Sequence, residues 1–255
     1  MSLTLTPLKH IPFIHQGDRL VEIVLSALEK NELAIQEGDI LVFAQKIVSK
    51  AEGRLVNLVG INPSKRAIEL GTQAEKDPRL VELILCESQE VLRTRPGTII
   101  VEHKLGFVCA NAGIDHSNVA GIGDSNEEWV LLLPEDPDRS AGELQRELET
   151  KTGKKIGILI IDSHGRAWRN GTVGVAIGLA GLPGLEDLRG RSDLFDFKLR
   201  ITQVGVADEL AAAASLVMGQ ADEGTPVVHV RGFPYPLREG SLGELIRPKD
   251  QDLFR

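Results

Sequence analysis

Aromatic residues are scarce in this chain, 4% in all, with two tryptophans and one tyrosine. A surface that recognises nucleic acid by stacking bases on aromatic rings is therefore not expected. Positive charge is also in deficit. Lys and Arg total 29 against 37 Asp and Glu, a net charge of -8. No extended basic footprint for a phosphate backbone is expected, although a local cationic pocket stays compatible with that balance. Cysteine is nearly absent. Cys86 and Cys109 sit in apolar segments without CxxC spacing, which predicts two buried thiols in a reducing compartment. A zinc set drawn from Cys86, His103, Cys109 and His116 has the wrong spacing for a structural site. No apolar run approaches the length of a membrane span, and the N-terminus lacks a basic region followed by an apolar one. The expectation is a soluble cytoplasmic protein with no nucleic-acid or membrane partner.

What is present is ordinary globular material, 255 residues with 42% hydrophobic and 26% charged. That is enough chain for one large domain or two smaller ones. Helical spacing of apolar residues predicts helices from Gly17-Asp18 to about Asn31, from Ser64 to Glu75 and from Pro78 to Glu87. Further helices are expected from a cap at Asp138 or Ser140 to about Thr150, and over the Ala-rich run Asp208–Met218. Strands are expected at 2–9, 39–44, 54–58, 90–94, 97–102, 106–109 and 226–230, with an apolar run at 129–133. Ile156–Ile161 reads as a strand ending at Asp162. Gly171–Gly181 reads as a strand beneath a closely approaching backbone. Gln45–Gly53 is expected to be a polar turn or short helix, and the tail from Ser241 a helix or a loose end. Interleaved helices and strands with adjacent strand runs predict an α+β fold of mixed sheets rather than a βαβ winding.

Four segments can carry chemistry. Gln45-Lys46-Ile47-Val48-Ser49-Lys50-Ala51-Glu52-Gly53-Arg54 follows a buried strand and gathers three cations; that suits an anionic ligand, above all phosphate, or else a solvated basic surface. Cys109-Ala110-Asn111-Ala112-Gly113-Ile114-Asp115-His116-Ser117-Asn118 packs a carboxylate, two amides and a hydroxyl around one glycine. It reads equally as a metal-and-phosphate turn or as a plain Asn/Gly/Asp loop. Asp162-Ser163-His164-Gly165-Arg166-Ala167-Trp168-Arg169 offers two hard oxygens for Mg²⁺ or Mn²⁺ with guanidinium groups behind. The competing reading there is a salt bridge. His164 beside Asp162 suits acid–base work, though a loop histidine is more often simply solvated. Met218-Gly219-Gln220-Ala221-Asp222-Glu223-Gly224 follows a helix that Gly219 caps. No P-loop, complete dinucleotide fingerprint or nucleophile elbow occurs.

Taken in order, the segments Gly38–Val42, Lys46–Arg54, Gly106–Asp115, Asp162–Arg166, Met218–Gln220 and Val230–Gly232 resemble the coenzyme F420:L-glutamate ligases, also called F420-0:γ-glutamyl ligases. The resemblance covers nearly the whole chain, taken as one ligase domain over 1–255 with two subdomains as an option. It implies a family-specific α+β fold and an intertwined homodimer. It also implies GTP-dependent addition of L-glutamate, then of further γ-linked glutamates, to the deazaflavin coenzyme F420-0 through an acyl phosphate. Two divalent ions, Mg²⁺ or Mn²⁺, and K⁺ would assist. Asp115 and Asp162 match the family's metal-binding aspartates. Ser163 stands where Thr is common and keeps the ligating oxygen, and Gln220 matches a further metal contact. Gln45, Lys46, Lys50 and Asn118 match nucleotide contacts, with Lys50 also counted as catalytic beside Asp115 and Asp162. The loop Met218, Gly219, Gln220, Ala221, Asp222, Glu223 and Gly224 matches a nucleotide-binding loop. Ile11, Pro12, Phe13 and Ile14 align with an N-terminal nucleotide segment but lack the usual Leu-Pro-Glu wording. The chain stops before the reductase-like domain fused to some bacterial relatives, so FMN is not expected. Arg166 and Arg169 are inferred contacts for substrate carboxylates. The alternatives to a ligase are a metal-dependent nucleotide phosphohydrolase and a non-catalytic nucleotide- or deazaflavin-binding module.

Overall fold

Alternation along the apolar strands decides the architecture. The computed structural model describes residues 2–117, 119 and 128–252. The chain begins with β1 (Thr4–Pro7), α1 (Leu20–Lys30), β2 (Ile40–Ala44), α2 (Gln45–Ala51) and β3 (Leu55–Asn57). It continues through α3 (Lys65–Ala74), α4 (Pro78–Cys86), β4 (Ser88–Arg95), β5 (Thr98–His103), β6 (Val108–Ala110) and β7 (Trp129–Leu131). The second half holds α5 (Pro137–Thr152), β8 (Gly157–Gly165), β9 (Thr172–Ala180), β10 (Glu186–Asp187), β11 (Gln203–Val204), α6 (Val206–Met218) and β12 (Val227–Arg231). The expected α+β class, with mixed sheets and interleaved helices, is what the structure has.

The main sheet has the order β1-β12-β2-β8-β9, antiparallel throughout except for the parallel pair β2–β8. Successive side chains point to opposite faces. Leu41, Phe43, Ile158 and Ile160 pack on one face with Val24 and Leu28 of α1 and Leu148 of α5. Ile40, Val42, Leu159 and Ile161 pack on the other with Leu210, Ala211 and Ala214 of α6. A third apolar cluster joins Ala67 and Ala74 of α3, Val81 and Ile84 of α4, Ile99 and Val101 of β5, and Val130 of β7. There β4, β5 and β6 form an antiparallel sheet and β3 pairs with β7.

The close backbone approach expected over Gly171–Gly181 is present. A Cβ on Gly174 would lie 2.5 Å from the Ala211 carbonyl oxygen under α6, and one on Gly178 would lie 2.4 Å from Pro137 Cβ at the start of α5. β9 is one of the sheet's two edge strands, and carboxylates accept from its amides: Ala176 N–H donates to Asp208 Oδ1 at 2.9 Å and Leu179 N–H to Asp138 Oδ1 at 2.8 Å. Such capping blocks edge-to-edge pairing.

Several sequence expectations need correction. The α5 cap is Asp136, whose carboxylate accepts from Arg139 N–H with Pro137 in the first turn; Asp138 is committed to β9 instead. β8 does not end at Asp162 but runs to Gly165, because its hairpin with β9 supplies hydrogen bonds beyond the end of β2. Cys86 is exposed at the end of α4, and only Cys109 is buried. The tail from Ser241, expected as a helix or a loose end, carries two short 3-10 turns among its described residues. The pair β10–β11 had no sequence signal. At the sheet's far end, buried Asp39 accepts from His229 Nε2 (2.7 Å), from Arg231 (2.9 and 2.7 Å) and from Gln36 N–H (2.8 Å), joining the start of β2 to the end of β12. Among the described residues no helix is long and apolar enough to cross a membrane.

Candidate active site

The parallel strands β2 and β8 end on the same side, the edge at which ligands bind in sheets of this kind. The last pair in their register is Ala44 with Ile161. Beyond it the chain leaves β2 directly into α2, while β8 runs on as a ribbon with β9. Asp162 is the first residue of that ribbon and has no β2 neighbour. Two further segments arrive at this edge. Ala44 N–H donates to Pro226 O and Leu8 N–H to Val227 O, which bring in the loop before β12 and the segment after β1.

The first turn of α2 supplies the basic side. Gln45 and Ser49 are one turn apart and buried. Ser49 Oγ donates to Gln45 Oε1 at 2.9 Å, which fixes the amide so that Nε2 donates to Asp115 Oδ2 at 2.6 Å. The Lys46 ammonium lies 3.4 Å from Asp115 Oδ1 and donates to Ser117 Oγ (3.0 Å) and Ser117 O (3.2 Å). Lys50 follows one turn later. Burial pushes its ammonium below the usual lysine range, the Lys46 charge adds to this, and Asp115 opposes it.

Asp115 is presented by a left-handed turn. Asn111, Ala112 and Gly113 have φ of 52°, 54° and 66° in succession. Non-glycine residues rarely adopt that region. Here it is held from three directions. Asn111 Oδ1 accepts from Ile99 N–H at 3.0 Å. Ala112 is fully buried. Gly113 faces Leu133, where a Cβ would meet Cδ1 at 2.7 Å. Asp115 then exchanges two backbone hydrogen bonds with Leu131. Burial, followed by the charge of Asp162, pushes the Asp115 carboxyl up to about 6, against the pull of Lys46. The two carboxylates therefore share one site.

The ribbon side carries the rest. His164 Nε2 lies 3.0 Å from Asp162 Oδ2 with both side chains largely covered, so His164 is not a solvated loop histidine. On the opposite face of β8, Ser163 Oγ donates to Gln220 Oε1 at 2.8 Å, and Gln220 Nε2 donates to Ser215 Oγ at 2.9 Å. This ties the loop after α6 to the ribbon. Cys109 is inert: burial, then the Asp162 charge, pushes its thiol up to about 12.

The structure therefore brings together Gln45, Lys46, Lys50, Asp115 and Asp162, while Ser163 and Gln220 pair with each other on the opposite face of β8. Other expected contacts are placed differently. Ile14 and Met218 are buried in the apolar cores, and Ile11 packs against one of them. Pro12 and Phe13 are exposed, Phe13 at 91%. Gly219 caps α6 with φ of 80° as expected. In the exposed loop Ala221–Gly224, Ala221 N–H donates to Glu223 Oε2 while Asp222 faces solvent. Arg166 and Arg169 are exposed near the ribbon tip, where Arg166 donates to Gly171 O at 3.2 Å. Asn118 and the Gly121-Ile122-Gly123 stretch lie outside the described residues. Sequence reasoning gave no role to Ser49; the i, i+4 spacing of Gln45 and Ser49 was the available signal.

A divalent ion fits this donor set. Asp115 and Asp162 bring two carboxylates to this edge, Asp115 paired with Lys46 and Asp162 with His164, while the Ser163 hydroxyl and the Gln220 amide oxygen meet on the other face of β8. Hard oxygen donors of this kind suit Mg²⁺ or Mn²⁺, which complete their shells with water and substrate phosphate. Among the described residues no group of three or more His, Cys, Asp or Glu could hold a metal, which argues against the Cys86, His103, Cys109 and His116 combination.

The sequence matches known proteins over its length. Residues 9–232 match the model of the family described as F420-0:Gamma-glutamyl ligase. A protein named Coenzyme F420:L-glutamate ligase from Methanothermobacter thermautotrophicus is 46% identical over 257 residues, covering 100% of both chains. Proteins of that name from Methanocaldococcus jannaschii and Archaeoglobus fulgidus are 46% and 42% identical, covering 87% and 100% of this chain and 86% and 97% of their own. The chain belongs to the F420-0:γ-glutamyl ligase family, and it is a ligase.

Proposed function

We propose that this ligase attaches L-glutamate, through its amino group, to a carboxylate of coenzyme F420-0, and adds further glutamates through γ-linkages, with GTP as the phosphoryl donor. The observation that carries the reading is the meeting of Asp115 and Asp162 with Gln45, Lys46 and Lys50 at one sheet edge. A carboxylate is a poor electrophile. Transfer of the γ-phosphoryl group of GTP to its oxygen gives an acyl phosphate and GDP. The glutamate amine then attacks the acyl carbon, the C–O bond to phosphate breaks, phosphate leaves and the amine loses a proton. Little covalent chemistry falls to the protein in phosphoryl transfer; positioning and charge stabilisation dominate.

The residues divide that work. Lys46 and Lys50, one turn apart on α2, bind phosphate oxygens. Gln45, fixed by Ser49, orients Asp115. Asp115 and Asp162 would hold one Mg²⁺ or Mn²⁺, and Ser163 and Gln220, on the other face of β8, would contribute to a second. When bound, these ions neutralise charge on the transferring phosphoryl group, and K⁺ is assigned as a further activator. A cytoplasmic setting follows from these substrates.

Incubation of the protein with F420-0, GTP, Mn²⁺, K⁺ and L-glutamate, read by mass spectrometry, is expected to show glutamyl units added to the coenzyme with stoichiometric GDP. Phosphate release at the same rate without glutamate would identify a phosphohydrolase. Binding without turnover would identify a binding module.

The functional unit is proposed to be an intertwined homodimer. Support comes from the arm between β10 and β11, which exposes Leu194 at 96%, Phe195 at 88% and Ile201 at 88%. Apolar side chains crowded on a projecting arm are usually covered by a partner. Light scattering is expected to give twice the chain mass. Leu194→Glu combined with Phe195→Glu is expected to give the monomer mass; a dimer that survives both changes removes the arm from the interface.

A further inference from the structure

Asp162 is oriented by a residue of its own strand. Residues i and i+2 of a strand share a face, so Asp162 and His164 project together, opposite Ser163. A carboxylate only accepts hydrogen bonds, so in the 3.0 Å contact the imidazole Nε2–H donates to Asp162 Oδ2. The imidazole is held from another part of the chain. Phe107 packs against it at 5.2 Å between ring centres and 51°. Phe107 lies flat on His103 at 5.2 Å and 9°, and Leu105 N–H donates to His103 Nδ1 at 3.1 Å. Three rings thus connect the β5–β6 hairpin to the ribbon at the point where β2 has ended.

We propose that His164 is a positioning residue for Asp162: it holds the carboxylate by one oxygen and leaves the other to a divalent ion shared with Asp115. The inference rests on Asp162 being a metal ligand. Without the imidazole the carboxylate would lose the Nε2–H donor, and its orientation would have to be fixed when the ion binds. Groups that orient a ligand in this way are worth about 10–100-fold in metal affinity.

The test is Mn²⁺ binding to the nucleotide-free protein, read from the electron paramagnetic resonance signal of free Mn²⁺, so turnover is not involved. His164→Phe keeps a ring against Phe107 and removes the donor. It is expected to weaken Mn²⁺ binding about tenfold or more. His164→Gln places an amide N–H at similar reach and is expected to stay within about threefold of wild type. Should His164→Phe fail to fold, His164→Asn, whose amide is too short to replace Nε2, is expected to show the same weakening. In steady state the defect should appear as a raised Mn²⁺ requirement that excess Mn²⁺ largely overcomes, which a merely structural lesion would not give. Asp162→Asn separates the two layers. If it loses Mn²⁺ while His164→Phe and His164→Asn bind like wild type, the positioning role is overturned and the metal assignment stands. If Asp162→Asn itself binds Mn²⁺ normally, the metal assignment falls and His164 has no ligand to position.

Discussion

Asp115→Asn is expected to abolish glutamate-dependent GTP hydrolysis and, in the same protein, to raise the melting temperature at neutral pH. Both effects have one cause. The folded protein holds the Asp115 carboxyl at about 6 against a reference of 3.8, through burial first and then the charge of Asp162. A group whose pKa is raised by folding stabilises the fold fully below its unfolded value. That contribution is lost as pH rises through the folded value. At pH 7 the ionised carboxylate therefore costs up to about 3 kcal/mol, at 1.36 kcal/mol per pH unit. Asparagine keeps the acceptor for Gln45 and removes the charge, so several degrees of stabilisation are expected. The difference between mutant and wild type should be near zero at about pH 4 and grow toward pH 7. It is measured by thermal unfolding across that range in chelator. Loss of the carboxylate should lower kcat on the order of 10³-fold or more, because a bound ion's charge stabilisation is worth several kcal/mol. A mutant that turns over normally would remove Asp115 from the machinery. Equal stability at every pH would show that the site stores no charge repulsion. Asp162→Asn is expected to lose activity likewise, and to let the Asp115 carboxyl fall toward its ordinary value because the neighbouring charge is gone.

Asp39→Ala is expected to be the most destabilising single substitution away from the site. Burial alone would raise the pKa of this carboxyl. The hydrogen bonds from Arg231 and His229 outweigh burial and hold it below the ordinary value. Removing the carboxylate leaves a guanidinium, an imidazole and the Gln36 amide without their acceptor in a region where Asp39 is 1% exposed. Breaking a buried ionic cluster by deleting one partner costs about 3–5 kcal/mol, which for a chain of this size lowers Tm by on the order of 10 °C. The pH signature is opposite to that of Asp115. A depressed carboxyl contributes stability above its unfolded value, near 3.8, and loses it as pH falls through the folded value. Wild type should lose stability steeply in acid, while Asp39→Ala should show a shallower acid limb. Denaturant unfolding at pH 7 and pH 3.5 distinguishes the two limbs. The substitution lies at the end of the sheet opposite Asp162, so the residual folded protein should retain Mn²⁺ binding.

Local patterns carried much of the fold. Gln45–Gly53 was readable as a turn or short helix, and the helices expected over Ser64–Glu75 and Pro78–Glu87 are present, their Ser64 and Asp77 caps being seen only in the structure. Gly171–Gly181 was readable as a strand because glycine and alanine at that spacing leave room for a crossing backbone, as Gly174 and Gly178 do. Other features had no local signal. The extension of β8 past Asp162 depends on its partner β9, and hydrogen bonding between strands is invisible in one strand's composition. The left-handed run at Asn111 and Ala112 is held by Ile99, Leu133 and the surrounding core, none of them near in sequence. Cys86 looked buried because its neighbours are apolar, yet the helix turns it outward.

By itself the sequence determined the family, through an ordered set of motifs, and left each motif's chemistry open. Local patterns put carboxylates at Asp115 and Asp162 and cations at Lys46 and Lys50, and the family resemblance added Gln220. Tertiary structure decided which of these groups face one another. Asp115 meets Gln45 and Lys46 across 70 and 69 residues of chain because a strained turn and a strand end arrive at the same edge. Arg166 and Arg169, close to Asp162 in sequence, lie toward a ribbon tip in solvent. The physical reason is the range of the forces involved. Side-chain type and spacing act within a turn or two of chain, whereas a site of opposed charges needs the packing of distant elements to hold the groups at 3 Å against their own solvation.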